Sequence, residues 1–193
     1  MKIQCRKFLI LLFFCATLLH AANQKDLAKL TLSTAQPKAG MDLSNADLRN
    51  YKFSPETTSL ENANLSHTNL SNVDLSKMNL TNADLSFANL TETNLAQAKL
   101  SGANLNNSML MDANLESADL TGATLLSAIL TNANLLNANL TKTDFRCANL
   151  NTANLKNANL SQANFSKASL INTNTLGVEN SSTVINENTD CTS

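Results

Sequence analysis

The sequence predicts an all-β solenoid, and three observations carry that prediction. Leu or Phe recurs every five residues in one phase, without a skip, from Leu60 through Leu170, 23 times in all. The residue two before each of them is usually Ala, with Thr68, Val73, Met78, Thr93, Ser108 and Thr143 as the larger exceptions. The residue just before is mostly Asn or Asp, and the one just after is mostly Ser or Thr. We write the large residue as i, so that the five positions run from i−2 to i+2. A period of five fits neither common element. On an α-helix five residues advance about 500°, so successive leucines drift by about 140° and form no apolar stripe. On a straight strand the side-chain period is two, and an odd repeat sends alternate leucines to opposite faces. Only a chain that turns regularly between leucines keeps them all inside. That is a solenoid with Leu and Ala pointing inward and Asn, Ser and Thr at corners or facing water.

Asn and Asp at i−1 are expected to suit the corners, because their short side chains hydrogen-bond their own backbone and tolerate unusual dihedrals. Stacked coils then pair through backbone hydrogen bonds at roughly 4.8 Å. The units Ala63-Asn64-Leu65-Ser66-His67, Ala83-Asp84-Leu85-Ser86-Phe87, Ala118-Asp119-Leu120-Thr121-Gly122 and Ala133-Asn134-Leu135-Leu136-Asn137 resemble those of pentapeptide-repeat proteins. The resemblance implies a right-handed quadrilateral β-helix with four pentapeptides, or 20 residues, per coil. On that coil length Leu85, Leu105, Leu125, Phe145 and Phe165 share one inward column, so the two phenylalanines stack on each other. The repeats then fill almost six coils, a rod on the order of 28 Å long.

From its start, the chain reads as follows. Lys2, Arg6 and Lys7 precede an apolar run from Phe8 to Leu19, the pattern of a secretory signal peptide over residues 1–22. An uncleaved anchor is the alternative, but the run is short of the roughly 20 residues needed to span a membrane. Removing Lys2, Arg6 and Lys7 from the 14 Lys and Arg leaves 11 against 15 Asp and Glu, a mildly acidic mature chain. Cleavage also removes Cys5 and Cys15 and leaves Cys147 and Cys191. A bond from Cys147 to the C-terminal segment is within geometric reach, and free thiols are equally compatible with the sequence. Residues 23–40 read as an N-terminal cap or linker, with a short capping helix over Asn23–Gln36 stopped by Pro37 and Gly40.

The repeat domain is expected over 41–174. Leu43, Leu48 and Phe53 already keep the five-residue spacing, but Phe53 to Leu60 is seven. Two residues are inserted there, and a bulging loop at 54–58 is expected. After Leu170 the phase decays, Leu176 falls out of phase by one, and 175–193 reads as a polar tail in which Val178, Val184 and Ile185 are the aliphatics from Gly177 onward.

Chemistry is nearly absent from the inventory. After signal removal one histidine remains, His67 at i+2, where an exposed corner is expected. Asp74, Asp84, Asp119 and Asp144 occupy i−1 at spacings that do not set two carboxylates side by side. Gly102 and Gly122, 20 apart at i+2, relax a corner rather than cradle phosphate. No catalytic residue, metal site or cofactor is expected, and the chain reads as a non-enzymatic exported scaffold or protein-binding module. The resemblance implies a second reading, since some pentapeptide-repeat proteins mimic DNA and act on type II topoisomerases. Here outward positions are mostly neutral Asn, so nucleic-acid-like behaviour and nucleic-acid binding are not favoured. A third reading is a secreted hydrolase on a β-helix, for which clustered acids are lacking.

A partner surface is the remaining candidate. Outward positions turn apolar at Met109, Met111, Leu126, Ile129 and Leu136. Met109 and Ile129 both stand at i−1, 20 residues apart, so they are expected one above the other. The expected partner is another protein or a second copy, with no stable membrane insertion once the signal is removed.

Overall fold

The computed structural model describes residues 39–49, 51–53 and 59–178. They wind into a β-helix-type solenoid. The i−1 residues pair in parallel with residues 20 further on: Asn64 with Asp84, Asn69 with Asn89, Asp74 with Asn94 and Asn79 with Lys99. One coil is therefore 20 residues, or four pentapeptides. Asp42 pairs with Asn64 and Asp47 with Asn69, a separation of 22. The two extra residues counted in the sequence thus enter between the first pentapeptides and the main stack. The expected signal peptide, capping helix, 54–58 loop and segment 179–193 lie outside the described residues.

The hydrogen bonds of one unit explain why the repeat has this composition. In 83–87, Ala83 N–H donates to Leu80 O and closes the turn (3.0 Å), Asp84 N–H donates to Ala63 O in the preceding coil (2.9 Å), and Leu85 and Phe87 N–H donate to Asn104 and Asn106 O in the next (2.7 and 3.0 Å). Ser86 N–H remains, and it donates to Asp84 Oδ1 at 3.0 Å. All five amides are satisfied, the last only because i−1 carries a short side-chain acceptor. The same bond recurs from Ser66 to Asn64, Thr81 to Asn79 and Leu136 to Asn134.

The unusual dihedrals fall elsewhere than expected. Asn and Asp at i−1 lie in the bridge pairs, and the left-handed residue is i+2, as at Asn62, His67, Asn72 and Phe87 (φ 54, 58, 62 and 58). The turn needs one residue there in every pentapeptide, whatever its side chain. Gly102 and Gly122 meet the demand without a Cβ.

The i−1 side chains also stack between coils. Asn94 Nδ2 donates to Asp74 Oδ1, Asn114 to Asn94, Asn134 to Asn114, Asn154 to Asn134 and Asn174 to Asn154, all at 3.0–3.2 Å. These positions are thus a partly exposed amide ladder rather than free solvent-facing groups. Inside, Leu at i and Ala at i−2 are almost fully excluded from water. Phe145 and Phe165 stack at 4.8 Å and 10°, as their shared column requires. Where i−2 carries a hydroxyl, that group donates to a leucine carbonyl: Thr68 to Leu65 O (2.6 Å), Thr93 to Leu70 O (2.8 Å) and Thr143 to Leu120 O (2.9 Å). The path continues past Leu170: Asn174 pairs with Asn154, Leu176 O accepts Asn157 N–H, and Val178 packs against the core.

Candidate interaction surface

One face of the rod is built from 68–70, 88–90, 108–110, 128–130, 148–150 and 168–170, stacked at the 20-residue interval. Its outward i−1 column reads Asn69, Asn89, Met109, Ile129, Asn149 and Ser169. Met109 and Ile129 are bridge partners, as their spacing predicts. Their backbones keep the regular pattern: Met109 N–H donates to Ala88 O and Ile129 N–H to Ser108 O. Their side chains project outward, 36% and 37% exposed.

Replacing Asn here removes the acceptor for the amide two residues on. Met111 and Thr131 N–H find no acceptor among the described residues. Where Thr124 and Ser169 stand at i−1, the coil compensates, because Leu126 N–H is taken by Asn106 Oδ1 (2.8 Å) and Ile171 N–H by Asn151 Oδ1 (2.9 Å). The Met109–Ile129 column therefore gives up two amide side chains and two backbone bonds in successive coils.

The other expected members fare differently. Met111 lies at the corner following this face, partly exposed, and Leu136 is partly exposed one side further round. Leu126 is a correction: it is only 6% exposed, so it does not belong to the open surface. Phase points its side chain outward, but shielding at a corner depends on what stands over it. Phe87 was not singled out by the sequence, yet it is 53% exposed and stacks on His67 with ring centroids 4.8 Å apart and planes within 1°. The 20-residue interval between them was the available signal. Phe87 sits at the corner leading into this face, so Phe87, Met109 and Ile129 step across three successive coils.

The acids are not gathered. Asp84 and Asp144 share a column with Asn104 and Thr124 between them, while Asp74 and Asp119 stand on other sides. Asp74 is held below the ordinary carboxylate range chiefly by Ser76 N–H. For Asp119, burial pushes the carboxyl up, but the Thr121 and Ser101 hydroxyls and Thr121 N–H outweigh it, and the net shift is downward. Each carboxylate thus serves the structure by accepting bonds. Among the described residues no group of three or more His, Cys, Asp or Glu is placed to hold a metal ion, and no helix is long and apolar enough to cross a membrane.

Comparison with curated proteins returns no match. Among solved structures, a pentapeptide repeat protein from the Arabidopsis thaliana thylakoid lumen is 33% identical, with 42% of this chain and 56% of that one covered and a TM-score of 0.41. This chain thus spans little more than half the length of that relative. Full-length QnrB1, a plasmid-mediated fluoroquinolone resistance protein, is 16% identical over 77% of this chain and 92% of that one, TM-score 0.42. HetL, involved in heterocyst differentiation regulation in the cyanobacterium Nostoc sp. strain PCC 7120, is 24% identical over 88% and 99%, TM-score 0.21. The pentapeptide-repeat family profile matches in eight copies, over 58–95, 88–125, 118–157 and 148–174. Those residues are the ones wound into 20-residue coils with Leu and Ala inside, and the chain belongs to the pentapeptide-repeat family.

Proposed function

We propose that this protein is an exported scaffold that binds a protein partner through the face carrying Met109 and Ile129. In this reading residues 1–22 are a signal peptide, 23–40 a cap with a short helix, 41–174 a right-handed four-sided β-helix and 175–193 a tail. Export is supported by the basic-then-apolar start and by the disulfide bond at Cys147, which suits an oxidising compartment.

The observation that carries the binding reading is the paired loss at Met109 and Ile129. The repeat prefers Asn at i−1 because it satisfies a backbone amide and joins a ladder, and a local rule broken twice in register at exposed positions is what a contact surface looks like. Methionine at its centre adapts to a partner's shape, and exposed Phe87 extends the surface along the leading corner. The test is M109N/I129N, which restores the preferred residue at both positions. The double variant should fold at least as stably as wild type, while affinity for a partner recovered from the extracytoplasmic fraction, or self-association measured by sedimentation, falls at least tenfold. Unchanged binding in the folded variant refutes the assignment.

A second reading, a DNA mimic acting on a type II topoisomerase, calls for a dense row of negative charge. The outward ladder is instead built largely of neutral amides, with single carboxylates such as Asp74 and Asp119 among them. Inhibition of purified gyrase by the mature protein at equimolar dose, lost when Asp74, Asp84, Asp119 and Asp144 are changed to Asn, would favour it over the scaffold.

A further inference from the structure

The main stack, 59–178, carries its charge unevenly along the axis. From Ser59 to Ala118 stand six acids, Glu61, Asp74, Asp84, Glu92, Asp112 and Glu116, against Lys77 and Lys99. From Asp119 to Val178 the balance reverses, with Lys142, Arg146, Lys156 and Lys167 against Asp119 and Asp144. Met109 and Ile129 are bridge partners in adjacent coils on either side of that boundary. The stack is thus acidic in its first half, basic in its second, and apolar at the midpoint of one exposed face.

We infer that this face binds a second copy of the chain, antiparallel, about a two-fold axis that crosses the face between Met109 and Ile129. The inference rests on the binding reading above and names its occupant. A surface that meets its own copy must be complementary to itself under that rotation, and three features make it so. Antiparallel packing sets each acidic half beside a basic half, whereas parallel packing sets acid beside acid. It brings each Met109 against Ile129 of the second copy, so that both exposed side chains leave water. At the corner following the face it puts Asp112 of the second copy level with Thr131, whose N–H has no acceptor among the described residues. Asp112 has Oδ2 to offer, because Asn132 Nδ2 of its own chain donates to Oδ1 (3.1 Å). On the same corner Glu92 lies level with Thr152 of the second copy, so no carboxylate there opposes another. A face about 29 Å long is small for a permanent interface, and the dimer is therefore reversible.

The test needs only the purified protein. Sedimentation equilibrium should show a monomer–dimer equilibrium in the micromolar range, weakened at least threefold by molar salt, which screens the opposed halves, and at least tenfold by M109N/I129N. Orientation is read by replacing Glu92 with the photo-crosslinker p-benzoylphenylalanine; His67 and Phe87 already place rings at i+2, so the coil accepts one there. Light and heavy isotope-labelled protein are mixed, irradiated, reduced and digested with trypsin, and only light-to-heavy crosslinks count. The peptide 78–99, which holds position 92, should be joined to 147–156, which holds Thr152. Joined instead to a second 78–99, it would mean a parallel dimer and would overturn the inference. A dimer that tightens with salt or survives M109N/I129N would overturn it too. So would a protein that stays monomeric throughout the micromolar range; if that monomer nevertheless captured a different protein and M109N/I129N abolished the capture, the binding reading would stand and this inference alone would fall.

Discussion

Asn134→Ala tests the ladder more sharply than any core truncation. Asn134 Oδ1 accepts Leu136 N–H at 3.2 Å and Asn154 Nδ2 at 3.1 Å, and its own Nδ2 donates to Asn114 Oδ1 at 3.1 Å. Alanine removes all three bonds and leaves Leu136 N–H without its acceptor. An unpaired amide costs about 1–3 kcal/mol and each lost bond about 0.5–1.5 kcal/mol net. Because the site is half-exposed, water recovers part of this, and the expected loss is about 2 kcal/mol. Asn134→Asp keeps an acceptor for both Leu136 N–H and Asn154 Nδ2 and loses only the donor to Asn114, so it should cost about 1 kcal/mol. Leu125→Ala, with Leu125 fully buried between Leu105 and Phe145 in its column, should cost about 2–5 kcal/mol. Urea unfolding followed by circular dichroism orders the three. An Asn134→Ala variant as stable as wild type, or an Asn134→Asp variant as damaged as Asn134→Ala, would refute the bonding account of the i−1 preference.

Three further outcomes are expected. Truncation should hurt less at the C-terminal end: Leu160→Ala, with fewer coils beyond it, should cost less than Leu125→Ala in the same unfolding experiment. Asp119 carries a folded pKa lowered from 3.8, so its stabilisation is complete above that value and is lost as pH falls through the lower folded value; Asp119→Asn should flatten the pH dependence of stability in that acid window. Gly122→Ala should cost about 1–2 kcal/mol for placing a Cβ at φ 67, whereas Gly122→Asn should cost less because Asn tolerates that region, and thermal melts of the two variants separate them.

How much of this was legible before folding depends on which neighbour a residue answers to. The inward set from Leu60 through Phe165 was readable because a five-residue phase acts locally: each pentapeptide turns once, and its i and i−2 side chains have nowhere to go but inside. The seven-residue step from Phe53 to Leu60 likewise announced a two-residue insertion, which appears as a 22-residue register. The pairing of Met109 with Ile129 and the stack of Phe145 on Phe165 needed only the 20-residue coil. What local phase does not contain is the chain above and below. Asn134 reads as a water-facing residue until Asn114 and Asn154 stand one coil either side of it. The left-handed turn residue falls at i+2 because the bridge pairing claims i−1. His67 and Phe87 become one exposed aromatic stack, and Leu126 becomes buried, through neighbours 20 or more residues away. Sequence periodicity determined which side of the wall each residue is on, and tertiary structure decided what each outward residue meets, because outward contacts in a solenoid are made between coils rather than within them.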